Sequence, residues 1–271
     1  MSFPNSVYIS YFDDLPVEDA VRLLAQAGFT HGELSIDHRD FPDPAGFRRY
    51  LASLDFAIPQ GHLLFSQGLC TPEAMDILKK DLELFHALGI AKAVIHVSGG
   101  KDLPEETRYA TWVKNLEELG NFVEGTGITL CLENLYAVPM TNTVDKLLRI
   151  IRDAGGKNMA ICLDTGHLHL TNRLSGESQS QGEFIRKAGS LLQALHIVDN
   201  DGLGDTHQMP YSDRSVVDCV DVMQALRDVD YQGLFNLECL GERRPPMPIK
   251  LAKLAFMRQM CEYMQTDEFL R

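Results

Sequence analysis

The sequence has no CxxC pair. Its six cysteines (Cys70, Cys131, Cys162, Cys219, Cys239 and Cys261) are scattered, and three fall inside or at the end of apolar strand-like runs. That distribution favours free buried thiols in a reducing compartment over a disulfide framework. The opening residues, MSFPNSVYIS, contain neither a basic leader nor a sustained apolar stretch, so no signal peptide is expected. No run reaches the roughly 18 apolar residues that a membrane span needs. Basic charge is also short: the formal net charge is −13. An acidic chain lacks the footprint that displaces counterions from duplex nucleic acid. The first strand is not followed by GxGxxG, which weakens a dinucleotide-binding reading. The expectation is a cytoplasmic protein acting on a small molecule, without a nucleic-acid or membrane partner.

What the sequence does contain is a repeated strand–loop–helix pattern across 271 residues of ordinary 45% apolar content. Strands are expected at Val7 to Tyr11, in HGELSID around Glu33, in AIPQGHLL to about His62, and in KAVIHV to His96. Four more are ITLCLENL to Glu133, Met159 to Asp164, ALHIVDN to about His196, and GLFNLEC. Helices are expected at 17–27, 44–54, 72–88 (with Gly89 as C-cap), 105–124, 143–154, 216–229 and 249–264. Residues 175–182 read as a polar loop. Eight strands alternating with helices, without a linker or low-complexity break, predict an α/β fold: a (β/α)₈ barrel forming one domain over 1–271. Such barrels typically take about 250 residues.

The sharpest local feature is MAICLDTGHLHL, Met159 to Leu170. Read as a strand, it turns Ala160, Cys162 and Asp164 to one side, and Thr165–Gly166 then turn the chain to deliver His167 in a loop. The same parity places Cys131 with Glu133, Ala194 with His196, and Asn236 with Glu238. Glu133, Asp164, His196 and Glu238 therefore end four consecutive strands at one rim. Asp164 has the alternative of capping the next helix, and a single Glu or His at a strand end is usually solvated or a core residue. Three carboxylates and an imidazole at one rim repel one another unless a cation sits among them, which points to one divalent metal ion. Mostly oxygen donors with one imidazole suit Mn²⁺ first, with Mg²⁺, Co²⁺ and Zn²⁺ also compatible. His62, His96, His167, Asp205 and His207 fall nearby, as groups to orient substrate hydroxyls, support the ligands or bind further ions. Arg243 and Arg244 follow the last strand, in reach of an anionic or polyol substrate.

LENL at Glu133, LDTGH across Asp164 to His167, LHIVDNDG from Leu195 and the LE of Glu238 together resemble the xylose-isomerase-like barrel superfamily over nearly the whole chain. The resemblance implies a metal held by Glu133, Asp164, His196 and Glu238. It further implies a sugar isomerase or epimerase in which Glu133 and Glu238 are also the acid/base pair, working through a metal-stabilised enediolate. His62, His96, His167, His207 and Arg243 are then substrate-binding candidates. The substrate is expected to be a small carbohydrate, and the closing helix is a candidate contact for a homo-oligomer. A second branch, similar to endonuclease IV, uses three zinc ions to cleave abasic DNA. Its nine ligands have counterparts here in His62, His96, Glu133, Asp164, His167, His196, Asp205, His207 and Glu238. The acidity of the chain ranks that branch second. A non-catalytic sugar-binding barrel is the third alternative, weakened by retention of both glutamates.

Overall fold

A computed structural model describes residues 3–35, 41–64, 66–212, 215–241 and 245–271. The strands are β1 (Asn5–Tyr8), β2 (His31–Ser35), β3 (Ala57–His62), β4 (Lys92–Ile95), β5 (Thr129–Glu133), β6 (Met159–Asp164), β7 (Leu192–His196) and β8 (Phe235–Leu237). They form one sheet in the order β7-β6-β5-β4-β3-β2-β1-β8, and every named pairing is parallel. The ring closes where the Ile197 N–H donates to the Asn236 carbonyl at 2.8 Å, bridging Ile197 to Leu237. Helices lie between the strands, giving a (β/α)₈ TIM barrel. No helix among the described residues is long and apolar enough to cross a membrane.

Side-chain parity makes two separate layers. Val94, Cys131, Ala160, Cys162 and Ala194 form a small cluster inside the barrel. The alternate residues Leu130, Leu132, Ile161, Leu163 and Leu195 face outward into the main core shared with the helices. Interior side chains are small because eight strands leave room for only a few per layer. Gly61 shows how tightly the outer layer packs: a Cβ there would lie 2.7 Å from the Phe85 ring.

The helices are α1 (Val17–Gln26), α2 (Pro44–Ser53), α3 (Pro72–Leu88), α4 (Glu105–Phe122), α5 (Val144–Asp153), α6 (Thr165–Ser175), α7 (Gln181–Ala188), α8 (Cys219–Asp228) and α9 (Met247–Met264). Gly89 ends α3 at φ 80°, the left-handed conformation that glycine adopts without a Cβ penalty. Three local expectations need correction. The first strand ends at Tyr8, and Ile9–Phe12 turn into a 3₁₀ helix that buries Ile9, Tyr11 and Phe12. His167 is not in a loop. Asp164 ends β6 and at once caps α6, its Oδ1 accepting from the His167 N–H at 2.6 Å. The polar stretch 175–182 runs into an additional helix, α7, started by a capping box. Ser180 accepts from the Glu183 N–H while the Glu183 carboxylate accepts from the Ser180 N–H.

Candidate metal centre

Barrel register brings the strand ends together. Asp164 lies opposite His196 across β6–β7, and Glu133 lies opposite Cys162 across β5–β6. His62 ends β3, His96 follows β4 directly, and Glu238 follows β8 directly. Ligating atoms of Glu133, Asp164, His196 and Glu238 all lie within 4.8 Å of one another, and all four residues are buried. His62, His96 and Glu133 make a second such group, and His167, Asp205 and His207 a third. A fourth combination, His62, His196 and Glu238, overlaps the first two. Arg243 and Arg244 fall outside the described residues. A surface cavity of about 350 Å³ lined by Glu105, Tyr109, Lys146 and Arg149 shares no residue with these groups.

Glu133 is the hub. Its Oε2 lies 2.8 Å from His96 Nε2 and 3.3 Å from His62 Nε2. Its Oε1 lies 3.2 Å from both His196 Nδ1 and His167 Nδ1. His167 Nε2 meets Asp205 Oδ2 at 3.0 Å, and His207 Nε2 meets Asp205 Oδ1 at 3.4 Å. The His207 Nδ1–H donates to the Glu238 carbonyl oxygen at 3.0 Å. Asn134 ties the ends of β5 and β6 together. Its Nδ2 donates to the Asp164 carbonyl at 3.0 Å, and its Oδ1 accepts from the Asp164 N–H at 2.7 Å.

Sequence reasoning did not single out Asn134, Asn236 or Glu33. Glu33 is fully buried and accepts from the His196 Nε2–H at 3.0 Å. A usable signal was present: a carboxylate in mid-strand, in a run whose other buried members are apolar or small, has to point at polar partners.

The electrostatics are those of a site short of positive charge. Burial would raise the Glu133 carboxyl, but His196 and His96 outweigh it and hold the group well below its ordinary value. The same balance holds Glu238 down, through His196 and His207. Asp164 goes the other way: burial dominates, and its pKa rises to about 6 despite His167. Burial disfavours the charged imidazoles too, yet Asp164 and Asp205 raise His167, and Glu238 raises His207 to about 12. His196, beside Cys162, Glu238, Glu33 and Glu133, is raised well above its usual value against the same burial. In His96 burial wins, and the group is lowered.

Whether a cation fits can be judged from the oxygens. Asp164 Oδ2 is buried with no hydrogen-bond partner among the described residues. Glu238 Oε2 lies 3.2 Å from His196 Nδ1 and 3.4 Å from His207 Nδ1 but is well directed at neither. Buried carboxylate oxygens left this way cost free energy that a hard divalent ion recovers. The donor set of three carboxylates and one imidazole suits such an ion.

Proton competition gives a checkable consequence. His196 holds its proton more tightly than an ordinary imidazole, so an ion taken up at Nδ1 has to displace that proton. Affinity for Mn²⁺ should therefore increase with pH across the range in which His196 gives up its proton. It should fall more steeply below pH 6, where Asp164 is also protonated. Isothermal titration at several pH values measures this, and a flat profile would contradict it.

With the fold and the cluster in hand, comparison defines the class. Residues 21–260 match the xylose isomerase-like TIM barrel family, and the chain belongs to that family. Among its relatives is D-psicose 3-epimerase of Agrobacterium fabrum, 28% identical over 261 residues, covering 86% of this chain and 84% of that protein. L-ribulose 3-epimerase of Mesorhizobium japonicum is 24% identical over 227 residues, 79% of this chain and 72% of that protein. A crystal structure of D-psicose 3-epimerase in the presence of D-fructose superposes with a TM-score of 0.80 at 18% identity. It covers 97% of this chain and 99% of that one, a likeness of fold.

Proposed function

We propose that the protein is a divalent-metal-dependent isomerase or epimerase of a small sugar or sugar derivative, working by proton transfer at a carbon next to a carbonyl. The observation that carries this reading is the pair Glu133 and Glu238, buried in one four-residue group with Asp164 and His196, with ligating atoms within 4.8 Å. Relatives that are sugar 3-epimerases support it. In this reading Glu133, Asp164, His196 and Glu238 hold the ion. When bound, a divalent ion supplies Lewis acidity, drawing electron density from a substrate carbonyl so that the neighbouring C–H becomes acidic enough to lose its proton.

The rest of the chemistry belongs to the side chains. Glu133 and Glu238 are both held as carboxylates by their histidine neighbours, the form a proton acceptor needs. One glutamate takes the proton from the substrate carbon. For epimerisation the other glutamate must first take up a proton, from solvent or from an adjacent imidazolium such as His207 beside Glu238. It then delivers that proton to the opposite face, inverting the centre, and the first glutamate returns the abstracted proton to solvent. His167, held between Glu133 and Asp205, and His207, anchored on the Glu238 carbonyl, are the groups to hold substrate oxygens, by exchanging a carboxylate partner for the substrate. His62 and His96 act on Glu133, orienting it from behind.

A ketose and sugar-acid panel incubated in D₂O with Mn²⁺ tests the reading. Interconversion with deuterium appearing at the reacting carbon is expected. Product formation without deuterium uptake, or no turnover of any member, would overturn it.

One observation favours a second reading. The nine residues His62, His96, Glu133, Asp164, His167, His196, Asp205, His207 and Glu238 fall into three donor groups that share Glu133 between two of them. Three ions so placed suit hydrolysis of a phosphodiester, where adjacent ions hold both the attacking and the leaving oxygen. About three zinc atoms per chain by elemental analysis, together with nicking of an abasic oligonucleotide, would replace the first reading with this one.

A further inference from the structure

Beneath the four-residue group, a chain of buried polar side chains crosses the barrel interior. The Ser6 hydroxyl donates to Asn236 Oδ1 at 2.8 Å. Asn236 Nδ2 donates to Glu33 Oε2, and Glu33 Oε1 accepts from His196 Nε2 at 3.0 Å. All four residues have 0% exposure. They come from β1, β8, β2 and β7, so the sequence does not place them together; the closed ring does. Ser6 stands opposite Asn236 across β1–β8, and Glu33 opposite Tyr8 across β1–β2.

Burying a carboxylate inside a barrel is costly unless it answers to specific partners. A carboxylate can only accept, so the hydrogen between Glu33 and His196 belongs to Nε2. Nδ1 faces carboxylates as well, so the Glu33 contact decides which hydrogen stays when a cation displaces one: it retains the one on Nε2 and leaves Nδ1 to the cation. Nδ1 is turned to the opposite side of the ring, 3.2 Å from Glu133 Oε1 and 3.2 Å from Glu238 Oε2. An imidazole without a partner on Nε2 could carry its hydrogen on Nδ1, where it would block a cation, or rotate about its side-chain bonds.

We propose that Glu33 is a positioning residue that holds His196 with hydrogen on Nε2 and Nδ1 facing the cation site, while Asn236 and Ser6 hold the Glu33 carboxylate in turn. The proposal rests on His196 being a metal ligand and is independent of which substrate is used.

Three variants separate positioning from charge. Glu33→Gln keeps the length and an acceptor oxygen but loses the charge. Glu33→Asp keeps the charge but falls one methylene short. Glu33→Ala removes both. Positioning predicts that Asp and Ala weaken Mn²⁺ binding by roughly 10–100-fold, with Gln closest to wild type. The dissociation constant is read by titration in the absence of any sugar. The reverse order, with Asp near wild type and Gln as weak as Ala, would overturn the proposal, as would wild-type affinity in all three.

Should the variants fail to fold, ¹⁵N NMR of the Zn²⁺-loaded wild-type chain decides the matter. Hydrogen on His196 Nε2 with Nδ1 ligating is expected, and hydrogen on Nδ1 would overturn it. A wild-type chain that takes up neither Mn²⁺ nor Zn²⁺ removes the metal reading and this proposal together. Failure of the Glu33 series alone leaves the metal reading standing.

Discussion

Glu238→Gln will leave a folded protein whose turnover falls by roughly 10³-fold or more. The two side chains have the same shape, and the position is buried, so packing survives the exchange. The amide cannot accept a proton from carbon, and it brings no charge to a cation. It also leaves His196 and His207 facing a neutral group, where a carboxylate now stands 3.2 and 3.4 Å away. Circular dichroism should be unchanged, metal content reduced and kcat lost. Near-normal turnover would remove Glu238 from proton transfer. Glu133→Gln should be more damaging to the fold, because four imidazoles converge on that one carboxylate.

Asp164→Asn should move stability and function in opposite directions. The Asp164 pKa is raised in the folded state, from an ordinary 3.8 to about 6, chiefly by burial. The fold therefore prefers the neutral form, and ionisation of this group destabilises the metal-free protein as pH rises through that window. At pH 7 the penalty is fully present. Asparagine removes it while keeping an oxygen to cap α6 through the His167 N–H. The metal-free variant should melt at or above the wild-type temperature. Wild type should gain about 2.7 kcal/mol from an ion at 100 times its dissociation constant, roughly 5–10 °C for a chain of this size. The variant should gain far less. Asp164→Ala loses the cap as well, at a further cost of about 1 kcal/mol. Differential scanning fluorimetry with and without Mn²⁺ measures all three, and an ion-induced shift in Asp164→Asn equal to wild type would exclude Asp164 as a ligand.

Much of this arrangement was legible in sequence because a barrel strand imposes strict alternation. Once Cys131 is taken as inward, Glu133 must be inward too, and the same step carries Ala194 to His196. Chain-local signals also read well: Gly89 as a cap, and the β6 run ending in Asp164. What could not be read was the partner of each inward group. Glu33 looks like any mid-strand acid until the ring is closed and His196 arrives from a strand 163 residues on. Asn134 sits beside Glu133 in the sequence, yet its function, tying two neighbouring strands, depends on a residue 30 positions away. The helix α7 was hidden differently. Its start is polar and glycine-containing, and the Ser180–Glu183 capping box was the available clue.

The junction of β6 and α6 has a consequence for how this protein can change over time. Asp164 is at once the last strand residue and the helix cap, so no loop separates the strand from the helix that carries His167 in its first turn. A helix turns about 100° per residue. One residue inserted after Asp164 would swing His167 away from Glu133 and Asp205 to a different side of the helix. Residue types along this segment can drift under selection, but its length cannot. Insertions and deletions among homologues should therefore avoid 164–167 and accumulate in connections such as 175–180, where a change in count leaves the cluster's geometry alone.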